Sequence, residues 1–223
     1  MRLLALDTAM GRCTVAAWDG SRLHARSEVM ARGHQEALAP MAAAVLAGAG
    51  LAFDALQAVG VTVGPGSFTG LRVGLAFAQG LGAALGLPVV GLPTLDALAA
   101  SLPPGPGKVA SVIDARRGQV YVRLFDGAAP VDEAQALAVE AFARRLDGID
   151  GGGRLVGTGA GLFTVPGWAA HPLDGPTPEA LIRLTRAGLE DGGRAGAARP
   201  LYLRAPDAVP STRLPGQPRP ARP

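Results

Sequence analysis

The stretch Gly64–Leu85, with the sequence GPGSFTGLRVGLAFAQGLGAAL, constrains the fold more than any other part of the chain. Its first four residues are typical of a sharp turn, and Ser67 is suited to cap a following helix. From Leu71 to the end of the stretch the only polar side chains are Arg72 and Gln79. A helix on the surface of a domain normally shows a wide polar face. The pattern therefore predicts a helix that is buried on two sides, by its own domain and by a partner.

Composition limits the classes of protein to which the chain can belong. Of its 223 residues, 48% are hydrophobic and 17% are charged, so the chain can bury a sizeable core. The N-terminus, MRLLALDTAMG, is a poor signal peptide, and no stretch approaches the ~20 apolar residues of a membrane span. Cys13 is the single cysteine and cannot form an internal disulfide. We therefore expect a cytoplasmic protein with no membrane partner.

The net charge of +3 is concentrated at the C-terminal end. From Arg204 onward there are four arginines and one acid, which leaves 17 basic and 17 acidic residues in the rest of the chain. A domain that grips nucleic acid by itself usually has a basic face, so the body of this chain is not expected to bind nucleic acid alone. The six prolines of residues 205–223 predict a disordered tail.

The order of predicted elements repeats along the chain. Three short strands are followed by a helix at 34–49, a buried strand, the helix of the opening stretch, and a further strand with a short closing helix that Thr94 can cap. After the segment LPPGPG at 102–107, strands and helices follow again in the order βββαβα, and Thr177 can cap the last helix. Asp7 and Asp114 are each followed, at the same spacing, by a glycine and an Asp-Gly pair, with an offset of 107 residues. This repetition predicts a duplicated fold.

Two βββαβα halves, at 1–104 and 105–204, describe an α/β fold of the actin-like ATPase class (ASKHA, RNase H-like). In such ATPases and sugar kinases the first hairpins clasp nucleotide phosphates and acids hold metal. Here Ala9 replaces an expected glycine and two bulky arginines crowd the second hairpin, so an inherited fold with an altered site is favoured. The alternative is a working ATPase or small-molecule kinase that uses Asp7 and Asp114. The candidate nucleotide-binding residues are Asp7, Thr8, Asp114, Gly157 and Gly159.

The residues around His34 and Ser67 do not have the spacing that a metal site or a catalytic nucleophile requires. A helical metal site needs a second ligand four residues after His34, and that position is Leu38. Ser67 does not form a strand–G-x-S-x-G–helix elbow, because the second glycine comes one position late. A peptidase is therefore the least favoured hypothesis. We expect no metal site, no resident cofactor and no catalytic residue.

Several segments together carry a family resemblance. LALDTA, RGHQEAL, GPGSFTGLRVGLAFAQGL, GLPTLDALA, IDARRGQVY, GTGA and PLYLR occur in the order found in the bacterial TsaB (YeaZ) family, from residue 3 to about 204. The chain resembles that family, and GPGSFTGLR is shared with its catalytic relative TsaD. The resemblance implies a role in making N6-threonylcarbamoyladenosine, the modified base beside the anticodon of tRNAs that read codons beginning with A.

The same resemblance implies the role of each partner. TsaD is the transferase and carries a paired-histidine metal motif on its first helix, whereas this chain has His34 followed by Leu38. The chain is thereby similar to the non-catalytic paralogue that binds and activates TsaD through helices 34–49 and 70–85, with the ATPase TsaE joining the complex. Alone it is expected to form a homodimer, and tRNA is reached only through the complex. The predicted partner-binding residues are His34, Leu38, Met41, Ala42, Val45, Arg72, Leu75, Ala76, Gln79 and Ala83.

Overall fold

The first of two β-sheets is built from the N-terminal part of the chain. The computed structural model describes residues 1–30, 32–190 and 198–204, and the predicted tail at 205–223 lies outside them. The elements of this part are β1 (Leu3–Asp7), β2 (Arg12–Trp18), β3 (Leu23–Val29), α1 (His34–Gly48), β4 (Ala58–Gly64), α2 (Phe68–Leu85), β5 (Val89–Pro93) and α3 (Thr94–Ala100). The strands lie in the order β3-β2-β1-β4-β5, and β1 pairs antiparallel with β2 and parallel with β4.

The second sheet repeats this arrangement. Its elements are β6 (Lys108–Arg116), β7 (Gln119–Asp126), β8 (Ala129–Pro130), β9 (Gln135–Ala138), α4 (Val139–Asp147), β10 (Gly153–Val156), β11 (Trp168–His171) and α5 (Pro178–Glu190). The strands lie in the order β11-β10-β6-β7-β8, with β9 also paired to β7. Strand β6 pairs antiparallel with β7 and parallel with β10, as β1 does with β2 and β4. Asp7 and Asp114 thus lie on equivalent strands, and the predicted actin-like α/β fold is confirmed.

Both faces of the first sheet are covered, which explains why β1 is apolar throughout. Leu4 and Leu6 enter the core that includes α1 and α2, whereas Leu3 and Ala5 enter the cluster on the opposite face. That opposite cluster includes side chains of α3 and α5. Helix α5 therefore packs on the first sheet although it comes from the second half of the sequence. The division of the chain at 104/105 stays a prediction.

Helix starts agree with the sequence at two of three predicted caps. The Ser67 hydroxyl accepts a hydrogen bond from the Gly70 amide (3.2 Å), and the Thr177 hydroxyl accepts one from the Ala180 amide (3.3 Å). The predicted cap at Thr94 is wrong, because Pro93 occupies the N-cap position and Thr94 is the first helical residue. The short strands β8 and β11 were not predicted.

Helix α2 belongs to the core of the protein on one side only. By length and composition alone it is apolar enough to cross a membrane, although a single such helix is weak support for a span. Its residues Leu71, Leu75 and Ala78 are at most 5% exposed and pack within the protein. The opposite side of the helix is exposed.

Candidate functional site

The glycine-rich turn before α2 brings this helix against the first hairpin. The Thr8 hydroxyl donates a hydrogen bond to the Gly70 carbonyl oxygen (2.7 Å), and the Ser67 amide donates one to the Ala9 carbonyl oxygen (2.7 Å). A Cβ atom at Gly66 or Gly70 would overlap the backbone oxygen of Ala9 or Thr8. The turn is therefore shaped by close packing, and Ser67 acts in it as a helix cap.

The exposed side of α2 is a flat surface made largely of alanine and glycine. Arg72, Ala76, Gln79 and Ala83 all lie on this side, as the sequence predicted, and Gly80 and Ala84 lie beside them. We call the exposed side of α2, together with that of α1, the docking face. On α1 it comprises small or short apolar residues, namely Ala39, Pro40, Ala43, Ala44 and Ala47.

Five of the ten predicted partner-binding residues lie in the core and not on the docking face. Leu38, Met41, Ala42, Val45 and Leu75 are each at most 6% exposed and belong to the hydrophobic core. The sequence analysis assigned the four α1 residues of this group to the partner, whereas the structure packs them into the core of the protein itself. The exposed alanines of α1 were not among the residues singled out from the sequence.

A short C-terminal segment, 198–204, lies along the docking face. The Gln79 side-chain amide donates a hydrogen bond to the Ala198 carbonyl oxygen (2.6 Å). The Leu201 amide donates one to the carbonyl oxygen of Val63 in β4 (2.7 Å). At the start of α2, the Tyr202 ring lies 5.5 Å from the Phe68 ring, measured between centroids. No periodicity in the sequence connects these residues, which are more than 100 positions apart.

Between the two sheets lies a cleft of about 810 Å³. Its lining comes from the first hairpin, the starts of α1 and α2, and the β6–β7 hairpin. Asp114 lies in this lining, where its carboxylate accepts a hydrogen bond from the Arg116 amide (2.8 Å) and pairs with the Arg116 guanidinium (3.2 Å). The Thr158 hydroxyl accepts a hydrogen bond from the Asp114 amide (3.1 Å). Asp114 is thus already partnered by groups of its own subdomain.

Asp7 lies beneath the cleft and is fully buried. Its Oδ1 accepts hydrogen bonds from the Ala9 amide (3.1 Å) and the Thr62 hydroxyl (2.7 Å), while Oδ2 has no partner among the described residues. Desolvation raises the pKa of Asp7 to about 6, although the hydrogen bonds and the charge of His34 oppose this shift. Neither Asp7 nor Thr8 is part of the cleft lining, so the structure does not bring Asp7 and Asp114 together on its surface.

The glycines after β10 serve packing. Gly157 has a φ of +115°, and a Cβ there would lie 2.5 Å from the carbonyl oxygen of Val112. A Cβ at Gly159 would lie 2.6 Å from the Val112 side chain. Both glycines therefore allow the loop to lie against β6. This packing explains why glycine occupies the two positions, and no bound nucleotide is needed to explain it. Of the five candidate nucleotide-binding residues, only Asp114 lines the cleft.

Comparison with known proteins identifies the family. A protein of Escherichia coli K12 named tRNA threonylcarbamoyladenosine biosynthesis protein TsaB is 32% identical over 240 residues, covering 97% of this chain and 100% of that protein. The chain belongs to the TsaB (YeaZ) family. An uncharacterized protein of Mycobacterium tuberculosis is 38% identical to this TsaB-family chain over 216 residues, covering 93% of this chain and 94% of the relative.

Structural comparison agrees. YeaZ from Pseudomonas aeruginosa superposes with a TM-score of 0.78 at 30% identity, covering 91% of this TsaB-family chain and 99% of the other. Residues 26–163 also match the family TsaD, described as tRNA N6-adenosine threonylcarbamoyltransferase. The resemblance to TsaB seen in the motifs is confirmed.

His34 occupies a different place from the other predicted partner-binding residues of this TsaB-family chain. It begins α1 and lines the cleft, with its Nε2 buried and without a hydrogen-bond partner in the described part of the chain. Four residues later, Leu38 is 1% exposed in the core. Within the described ranges, no group of three or more His, Cys, Asp or Glu side chains is placed to hold a metal ion.

Proposed function

We propose that this chain is a non-catalytic scaffold subunit that binds and activates the TsaD transferase, which adds threonylcarbamoyl to N6 of the tRNA adenosine next to the anticodon. Family membership supports the pathway, since relatives in four bacteria are named as tRNA threonylcarbamoyladenosine biosynthesis proteins. The proposal includes a cytoplasmic location, TsaE as a further member of the complex, and contact with tRNA only through that complex. In the proposal the subunit itself needs no cofactor.

The observation that carries the proposal is the apolar docking face. A helix that meets only water on one side normally presents polar residues there. Over its whole length, the exposed side of α2 has only three polar side chains, Thr69, Arg72 and Gln79, and Gln79 is already hydrogen-bonded to Ala198. Small residues at Ala76 and Gly80 allow the backbone of another helix to approach closely. We infer that helices of TsaD cover this face in the complex, and that a second copy covers it when the subunit is alone.

The proposal is tested by replacing Ala76 with arginine. Ala76 is exposed, so the fold should tolerate the change, whereas a long cation in the middle of the docking face should prevent helix packing. We expect A76R to lose binding to TsaD in a pull-down, to become monomeric in sedimentation, and to stop supporting threonylcarbamoyl transfer in a reconstituted system. The matched control is A187R, at an exposed alanine of α5. Unchanged TsaD binding by A76R would refute the proposal.

The competing hypothesis, an ATPase or kinase that uses Asp7 and Asp114, predicts nucleotide binding to the isolated subunit. Titration of Mg²⁺-ATP, followed by calorimetry, decides between the two. Micromolar binding that Asp114→Ala removes would support an enzyme. Because the structure buries Asp7 and pairs Asp114 with Arg116, we expect no such binding.

A further inference from the structure

Two exposed aromatic side chains meet at the start of α2. Phe68 is 44% exposed and Tyr202 is 40% exposed, although they are separated by most of the chain. Their ring centroids are 5.5 Å apart, and the planes are tilted by 35°. Large apolar side chains that are exposed next to one another on a protein surface mark interaction sites more often than single ones do.

Arg72 completes this cluster. Its guanidinium carbon lies 3.9 Å from the centre of the Phe68 ring, and its Nε donates a long hydrogen bond to the Tyr202 hydroxyl (3.4 Å). Neither contact neutralises the charge, and across the described residues Arg72 forms no ion pair. Stacking on a ring fixes the plane of the guanidinium and leaves its two terminal amino groups for a planar anion.

The segment 198–204 holds Tyr202 in place. Leu201 is fixed to the end of β4 by its amide, and Ala198 is fixed to Gln79 by its carbonyl oxygen. Ala198 is also 8% exposed and forms part of the core around α1 and α2. Tyr202 is thus presented by an anchored backbone beside the first turn of α2, at one end of the docking face.

We propose that Phe68, Arg72 and Tyr202 are the anchor of the docking face and receive a carboxylate carried by a helix of the protein partner. This inference rests on the proposed function and names the chemistry of the same surface. Tyrosine and arginine are among the residue types that most often dominate the binding energy of an interface. A carboxylate that pairs with Arg72 would neutralise the one charge that α2 presents on its exposed side. The alanines and glycines farther along α2 would then pack against the same helix.

A protein partner fits this surface better than RNA does. An RNA strand is held by a succession of basic side chains along its phosphates. After Arg72, the rest of α2 carries no lysine or arginine. If RNA bases stack on the two rings, the proposal is wrong.

The test measures the affinity of full-length variants for TsaD and, separately, for tRNA. We expect Arg72→Glu and Tyr202→Ala each to weaken TsaD binding by about 30-fold or more, the loss typical of a hot-spot residue. Tyr202→Phe keeps the ring contact and should weaken TsaD binding by less than Tyr202→Ala does. Thermal melting of each variant shows whether the fold is retained, and A187R again serves as the control. A reversal of charge at the partner's acidic residue should restore binding to Arg72→Glu but not to Tyr202→Ala.

The outcomes separate this inference from the proposed function. If A76R abolishes TsaD binding while Arg72→Glu and Tyr202→Ala bind like the wild type, the docking face stands and the anchor is refuted. If A76R also binds normally, both are refuted. If Arg72→Glu weakens binding to tRNA alone and leaves TsaD binding unchanged, the cluster is a nucleic-acid contact and the inference is wrong.

Discussion

The Thr8 hydroxyl donates a 2.7 Å hydrogen bond to the carbonyl oxygen of Gly70, which joins the end of the first strand to the first turn of α2. Thr8 is 1% exposed, so this bond is shielded from water. It fixes where α2 begins relative to the sheet, and hence the direction in which the docking face points. The turn before α2 is thus held by its packing against the first strand.

Gly70→Ala should disrupt this contact between the end of the first strand and α2. Its Cβ would overlap the backbone of Thr8, which is less able to move than a flexible side chain. We expect the free energy of unfolding to fall by about 3 kcal/mol, at the upper end of typical overpacking costs. Urea denaturation measures the loss. Gly80→Ala, in the same helix, has no atom within 4 Å of the new Cβ and should raise stability by about 1 kcal/mol. Equal effects of the two variants would contradict this account.

The buried Asp7 should make stability depend on pH. Burial raises its pKa to about 6, from the value of 3.8 that an aspartic acid side chain has when water surrounds it, as in the unfolded chain. Between these values the folded protein holds a proton that the unfolded chain has released. The contribution of Asp7 to the free energy of unfolding should therefore be largest below about pH 4 and decrease by up to about 3 kcal/mol as the pH rises through about 6.

Asp7→Asn is the matched control for this pH dependence. Asparagine retains an oxygen that can accept from the Ala9 amide and the Thr62 hydroxyl, but it does not ionise. Urea denaturation from pH 4 to pH 7 should show a flatter profile for D7N, and D7N should be the more stable protein at pH 7. An unchanged slope would assign the pH dependence to other groups.

The loop after β10 offers a test of packing against ligand binding. Gly159→Ala places a Cβ 2.6 Å from the Val112 side chain and should lower the free energy of unfolding by about 1–3 kcal/mol. Gly161→Ala, two residues later, meets no atom within 4 Å and should leave stability almost unchanged. If instead both variants were fully stable, the glycines would need an explanation other than packing.

Gln79 should control how firmly the segment 198–204 is held. In Gln79→Ala the hydrogen bond to the Ala198 carbonyl oxygen is lost, and its typical net value is about 1 kcal/mol. We expect faster hydrogen exchange at the Leu201 amide, which donates to Val63, with little change in global stability. Exchange at amides of α5 provides the internal reference. Equal exchange at Leu201 in both proteins would show that β4 alone holds the segment.

Apolar periodicity was sufficient to predict most of the fold. The spacing of Leu38, Met41 and Val45 indicated one apolar face of α1, and the duplicated acids at Asp7 and Asp114 indicated the equivalence of the two sheets. These features depend on contacts whose pattern repeats within a few residues or between the two halves. Because these patterns repeat, the predicted limits of the helices are close to those observed.

The residues of the docking face were only partly predictable from the sequence. Part of this surface is set by packing between segments that are distant in the chain. Periodicity separates one side of a helix from the other but does not say which side meets the sheet, so the inner face of α1 was also assigned to the partner. The contacts of Gln79 with Ala198 and of Phe68 with Tyr202 join residues more than 100 positions apart. Likewise, nothing around Asp7 in the sequence indicates that the chain covers it completely.

The position of α5 has a consequence for synthesis of the protein. Leu181 and Ile182 complete the cluster that also contains Leu3 and Ala5 of the first strand. When only residues up to 104 have left the ribosome, α3 covers part of this face of the first sheet, and the part that Leu181 and Ile182 cover is still open to water. The first sheet can therefore reach its final stability only after α5 has emerged.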